Sequence, residues 1–139
     1  MKIVSLFFFG ILIISCRQNN NLRDEKNYIL IGTDSVDHLI ANKIFVNKYD
    51  TSMRLIILYS FGNNTISAKT FFKEKLLVGL NEHFYMNGNV LDSGYYKNGL
   101  KDGLHRTYYP SGKIKKTELY IEGKLKLVED FDSSGNKIK

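Results

Sequence analysis

The chain has 139 residues with one Cys, one Pro and 24% charged residues, so once a short leader is set aside it supports one small domain. Its formal charge is +6, from 20 Lys and Arg against 14 Asp and Glu, and its aromatic content is nine Tyr and nine Phe with no Trp. This composition excludes a disordered tail, the single Cys excludes an intrachain disulfide framework, and three scattered His leave little from which to build a structural zinc site.

The first element is an apolar run of 12 residues from Ile3 to Ile14, preceded by Met1-Lys2 and followed by Ser15 and Cys16. It is short of the roughly 20 residues of a spanning helix and fits the apolar region of a signal peptide over residues 1–15. Ile13-Ile14-Ser15-Cys16 resembles the lipobox of bacterial lipoproteins. The resemblance implies that the chain is cut before Cys16, lipidated there, exported, and anchored to a bacterial cell-envelope membrane on its periplasmic or surface face. A plain signal peptide, or a buried apolar segment that contains a Cys, is the other reading of the same residues. Several acyl chains at about 0.8 kcal/mol per buried methylene would make the anchor durable. Residues 16–26 then form a polar tether.

Residues 27–58 are expected to be a β-rich N-terminal cap over the first edge of a sheet, with a degenerate repeat starting near Phe45. Tyr28-Ile29-Leu30-Ile31 and Leu55-Ile56-Ile57-Leu58 read as buried strands. Val36, Leu39, Ile40 and Ile44 fit a short helix capped by Thr33, Asp34 or Ser35, and fit strand alternation about as well.

From residue 59 to 139 the sequence repeats itself. Residues 72–95 lie on 96–119 with a constant offset of 24 and six identities: Lys73/Lys97, Leu76/Leu100, Gly79/Gly103, Leu80/Leu104, Tyr85/Tyr109 and Gly88/Gly112. A third, shorter copy follows from Tyr120, with Val128, Phe131 and Gly135 one residue out of step. Val90 to Lys97 and Lys113 to Ile121 suit pleated strands, and Asn98-Gly99, Asp102-Gly103 and Tyr109-Pro110-Ser111-Gly112 supply reversals. Gly79, Gly88, Gly99, Gly103, Gly112 and Gly123 are the structural turn residues. The expected fold is all-β: a single antiparallel meander sheet built from β-hairpin repeats of about 24 residues, since a lone hairpin cannot bury its own face. Phe72, Tyr96 and Tyr120 should stack in one ladder and Phe84, Tyr108 and Phe131 in another. Tyr85 and Tyr109, next along the chain, should point to the opposite face.

The segment Tyr96-Lys97-Asn98-Gly99-Leu100-Lys101-Asp102-Gly103 through Tyr108-Tyr109-Pro110-Ser111-Gly112-Lys113-Ile114 resembles the bacterial variant of the MORN repeat, often labelled antitoxin-like. The resemblance implies a repetitive antiparallel sheet used for protein or lipid contact, with no catalytic machinery or cofactor of its own. Antitoxin-type members are expected to meet a toxin in the cytoplasm. An export signal departs from that, whereas an envelope-anchored immunity protein uses the same parts.

Chemistry-bearing clusters are sparse. Asp34, Asp37 and His38 match no closed metal-ligand spacing, and His83 and His105 fall at non-equivalent repeat positions. No nucleophile motif or phosphate-cradling glycine run is present, so no enzyme, metal or cofactor is expected. From Tyr96 to Lys139 ten Lys or Arg face six acids, a net of +4. Tyr85, Tyr109, Lys97, Lys113 and Lys115 are the candidate binding residues, suited to an anionic headgroup or an acidic partner; export sets nucleic acid aside. Edge lysines that discourage sheet-to-sheet aggregation are the alternative account of the charge. The expected protein is a non-enzymatic, lipid-anchored binding module, monomer or weak dimer, with a protein partner that in the alternative reading is a toxin.

Overall fold

The computed structural model describes residues 24–36, 39–60 and 64–138. Cys16, the leader and most of the tether lie outside the described residues, as do Asp37 and His38.

The described residues fold into one antiparallel meander of ten strands. After a single 3-10 turn at Glu25–Asn27 come β1 (Tyr28–Val36), β2 (Leu39–Asn47), β3 (Met53–Tyr59), β4 (Ile66–Lys73), β5 (Leu76–Leu77), β6 (Gly79–Phe84), β7 (Val90–Lys97), β8 (Leu100–Tyr108), β9 (Ile114–Ile121) and β10 (Lys124–Asp130). Each strand pairs with its neighbour in sequence, except that β5 is a two-residue stub on β4, and β4 then pairs with β6.

Residues 27–58 are β-rich and join the repeats as strands β1–β3, with β3 paired to β4, and among the described residues β1 is the outer strand. The helix reading around Val36 to Ile44 gives way to strands for a local reason. β-Branched Val and Ile favour a pleated surface, a helix this short is marginal alone, and pairing β1 with β2 satisfies both backbones at once.

The hydrophobic core lies under this N-terminal half. Tyr28, Leu55 and Ile57 are buried, with Phe45, Tyr59, Ile66 and Phe71 packed against them. The Tyr28 and Phe71 rings meet edge-on, centroids 5.7 Å apart. Across β6–β10 the only buried side chains are polar, Asn81 and His105. Among the described residues no second layer covers the sheet, and the repeats are held there chiefly by cross-strand hydrogen bonds and by devices at the turns.

The 24-residue period is visible in the register. Lys73 opposes Leu76, Lys97 opposes Leu100 and Ile121 opposes Lys124. The first two hairpins then slip by two residues, from Phe72–Leu77 to Ala68–His83 and from Tyr96–Lys101 to Gly94–His105. The third slips by one, from Tyr120–Leu125 to Leu119–Leu127. The cause is one residue type. The two-residue excursion passes through Gly79 (φ +68°) and Gly103 (φ +94°), a conformation costly for other side chains, and the matching position 24 residues on is Leu127. The third unit therefore takes the shorter bulge, which is the loss of step seen in its sequence.

Candidate binding surface

Directly opposed residues of antiparallel strands share a face. Following opposition across the sheet gives a transverse apolar row on one face: Leu30, Phe45, Leu55 and Phe71, then Leu80 and Tyr95, then Leu104, Leu119 and Leu127. The registers set by Lys69–Glu82 and Gly94–His105 carry the row across the two slips. Exposure along the row is uneven: 49% at Leu30, 1% at Leu55, 41% at Leu104 and 49% at Leu127, with Leu80, Tyr95 and Leu119 half-buried. Two residues along each strand, on the same face, runs Lys69, Glu82, Ser93, Arg106, Thr117 and Glu129. Partly exposed leucines thus lie beside a row of both charge signs.

The opposite face carries the aromatic ladder in altered form. Tyr96 and Tyr120 do not stack on each other; His105 stands between them, edge-on to both, with centroids at 5.2 and 5.1 Å. The imidazole lies over Gly94, and its Nε2–H donates to the carbonyl of Tyr95 at 2.8 Å. Tyr95 is the residue skipped in the β7–β8 pairing. One unit earlier Asn81 occupies the position of His105, and its Oδ1 accepts from the backbone N–H of Phe71, the counterpart of Tyr95, at 2.7 Å. In the third unit the position falls to Val128, and there the bulge is the short one. A polar side chain at this position thus tends the backbone beside each long slip.

Burial holds the pKa of His105 below its usual 6.5, and Lys101 adds to the depression, against the opposing pull of Glu118 and Asp92. A His with a lowered folded-state pKa contributes stability that is present above 6.5 and lost as pH falls through the folded value. Melting temperature should therefore drop between pH 7.5 and 5.5, and His105→Asn should abolish most of that drop. The carboxylates of Asp24, Asp50 and Asp132 titrate below 3.8, held down by hydrogen bonds from Lys26, Ser52 and Asn136, so they do not share this window.

Tyr85 and Tyr109 have a structural occupation. Both are half-buried, and their hydroxyls donate to the carbonyls of Tyr108 (2.7 Å) and Phe131 (2.9 Å), equivalent positions one unit on. Each such bond contributes about 1 kcal/mol, so these residues latch unit to unit. Lys113 Nζ reaches the Ser134 carbonyl at 3.2 Å, and Lys115 Nζ lies 5.7 Å from the Tyr109 ring centroid. Lys97 stands at the other end of the strands, beside the Asn98-Gly99 turn, so the structure does not gather the three lysines into one site. Gly79, Gly88, Gly99, Gly103, Gly112 and Gly123 all stand at positive φ. Asp34 is held by Asn42 Nδ2 at 3.0 Å. Among the described residues no three His, Cys, Asp or Glu side chains come together as a metal site.

Sequence reasoning missed Gly94, the role of His105 and the apolar row. A lone Gly inside the Val90–Lys97 strand was the available signal for the first. The 24-residue spacing of Leu80 and Leu104 was the signal for the last.

No protein-family model and no curated protein matches the sequence. Among solved structures the chain is similar to a mutant of S. aureus TarM in complex with Fondaparinux, alpha-GlcNAc-glycerol and UDP, with TM-score 0.46, 18% identity, and coverage of 87% of this chain and 24% of that one. It is also similar to the pneumococcal O-GlcNAc transferase GtfA in complex with UDP and GlcNAc, with TM-score 0.44, 12% identity, and coverage of 71% and 19%. The chain spans about a quarter or less of these proteins. Likenesses at this level carry no argument about its activity.

Proposed function

We propose that this protein is a lipid-anchored cell-envelope binding module, a short MORN-variant sheet that docks another protein on one face. The observation that carries the reading is the row Leu80, Tyr95, Leu104, Leu119 and Leu127, in which Leu104 and Leu127 stand 41% and 49% exposed, flanked by Lys69, Glu82, Arg106 and Glu129. An apolar stripe anchors a partner by desolvation, and the mixed charges beside it fix register and suppress wrong partners. The lipobox-like Cys16 would hold that surface at the membrane, and the binding face is this row rather than Tyr85 and Tyr109, whose hydroxyls are engaged within the sheet.

The test is crosslinking in intact cells before lysis, comparing the wild type with Leu104→Asp/Leu127→Asp and with Cys16→Ala. One protein recovered with the wild type and lost with the Asp pair supports the module and its face. Equal recovery from wild type and the Asp pair refutes the face. If the captured protein is a toxin whose lethality co-expression relieves, the immunity reading follows; loss with Cys16→Ala alone places the encounter at the membrane.

A further inference from the structure

We propose that β1 is the contact along which two copies of this chain join, antiparallel about Leu30, into one continuous sheet. The two outer strands are chemically unlike. β10 carries Lys124 and Lys126, and its far end is occupied by the returning chain: Ile138 N–H donates to the Asp130 carbonyl at 2.8 Å, Phe131 bridges Lys137, and Lys137 Nζ holds Glu129 at 2.7 Å. Two copies cannot pair well there. Centring the two-fold on Lys126 sets that lysine against its own copy, and centring it on Leu125 sets Lys124 against Lys126; centring it on Leu127 puts Lys124 where Ile138 already lies. These are the devices that keep an edge strand unpaired.

Among the described residues β1 has no such guard. Residues 28–33 carry no charge and no Pro, and Ile29, Leu30 and Ile31 are 51%, 49% and 54% exposed. Antiparallel pairing about Leu30 sets Leu30 against its copy, Ile29 against the second copy's Ile31, and Tyr28 against the second copy's Gly32. The Tyr28 ring stays buried against Phe71 of its own chain, so the contact is made by Ile29, Leu30 and Ile31, and no like charges approach among residues 28–32. Lys26 lies in the 3-10 turn before β1, ion-paired with Asp24 of its own chain at 2.8 Å, and Asp34 accepts from Asn42, so the join is made by the uncharged residues 28–32. Pairing β1 with β10 instead would press Lys124 and Lys126 against isoleucines and leave both end edges open to grow without closure. Across the two-fold the apolar row Leu30, Phe45, Leu55, Phe71 continues into the second copy on the same face.

The test places a photoreactive residue at position 30 or 127 of the full-length chain, with two differently tagged copies expressed together in the native membrane. Position 30 should yield a covalent product of twice the mass of the membrane-borne protein that carries both tags, and position 127 should not. Ile29→Lys/Ile31→Lys in both copies should reduce that product about tenfold or more while leaving the strand signal in circular dichroism unchanged. No product from position 30, a product carrying one tag and another protein, a double-tag product from position 127, or a dimer that the lysine pair does not weaken would each overturn the proposal. Should the lysine variant lose its strand signal, the two probe positions in the otherwise unaltered chain decide alone.

Discussion

Gly94→Ala is expected to lower the stability of the fold by about 3 kcal/mol, a fall of roughly 10–20 °C in melting temperature for a domain of this size. Gly94 stands in the middle of β7 with ordinary strand geometry, so the reason is space rather than backbone freedom. A Cβ there would enter the van der Waals envelope of the His105 ring at Nδ1, Cγ and Cε1. The ring has nowhere to go. It is flanked by Tyr96 and Tyr120 and tied through Nε2–H to the Tyr95 carbonyl, so accommodating the methyl means breaking that bond or shifting β7 against β8. His105→Ala alone should cost about 2–3 kcal/mol, and the double variant Gly94→Ala/His105→Ala should be no less stable than His105→Ala. That strong coupling is the specific signature. Additive losses would show that Gly94 serves some other contact. Gly32→Ala, whose Cβ would meet nothing within 4 Å, is the neutral control.

Leu55→Ala should cost about 3–4 kcal/mol in urea unfolding, as large a loss as any aliphatic truncation in this chain. Leu55 is 1% exposed and is the largest fully buried side chain among the described residues, sitting between Phe45 on β2 and Phe71 on β4. Removing three carbons there forfeits their transfer energy and leaves a cavity walled by aromatic rings that cannot collapse into it. Leu127→Ala, the same change at the exposed end of the same transverse row, should stay within about 0.5 kcal/mol. Since each strand leans on its neighbour, the Leu55 variant should also loosen the repeats, seen as lost hydrogen-exchange protection through β6–β9. A cost below about 1 kcal/mol would place the core elsewhere.

The contrast between these two leucines shows what a sequence conveys. Leu55 and Leu127 are the same residue in similar apolar strands, and only the sheet's assembly leaves one buried and the other half exposed. The repeat itself was legible, because an offset of 24 with matched Leu, Tyr and Gly positions permits few arrangements other than successive hairpins of one meander. The one-residue slippage of the third copy was legible too, from Val128, Phe131 and Gly135, whereas the part played by Leu127 where Gly79 and Gly103 stand in the others emerged only from the paired strands. Residues 27–58 were less so. Their β-branched apolar runs fit two periods, and strand pairing, a contact between segments, settled which.

The binding residues divide in the same way. Tyr85 and Tyr109 were found by their spacing, but their hydroxyl bonds run to carbonyls 23 and 22 residues away, which no local pattern reveals. Gly94 and His105 meet because β7 and β8 slip by two residues, a register that only the paired strands define. By itself, then, the sequence determined strand chemistry, turn positions and the period of the fold, all properties of short segments and their repetition. The tertiary structure decided which face of each strand is covered, which polar side chain tends which bulge, and which described strands lie outermost, because burial and register arise only when distant segments lie side by side.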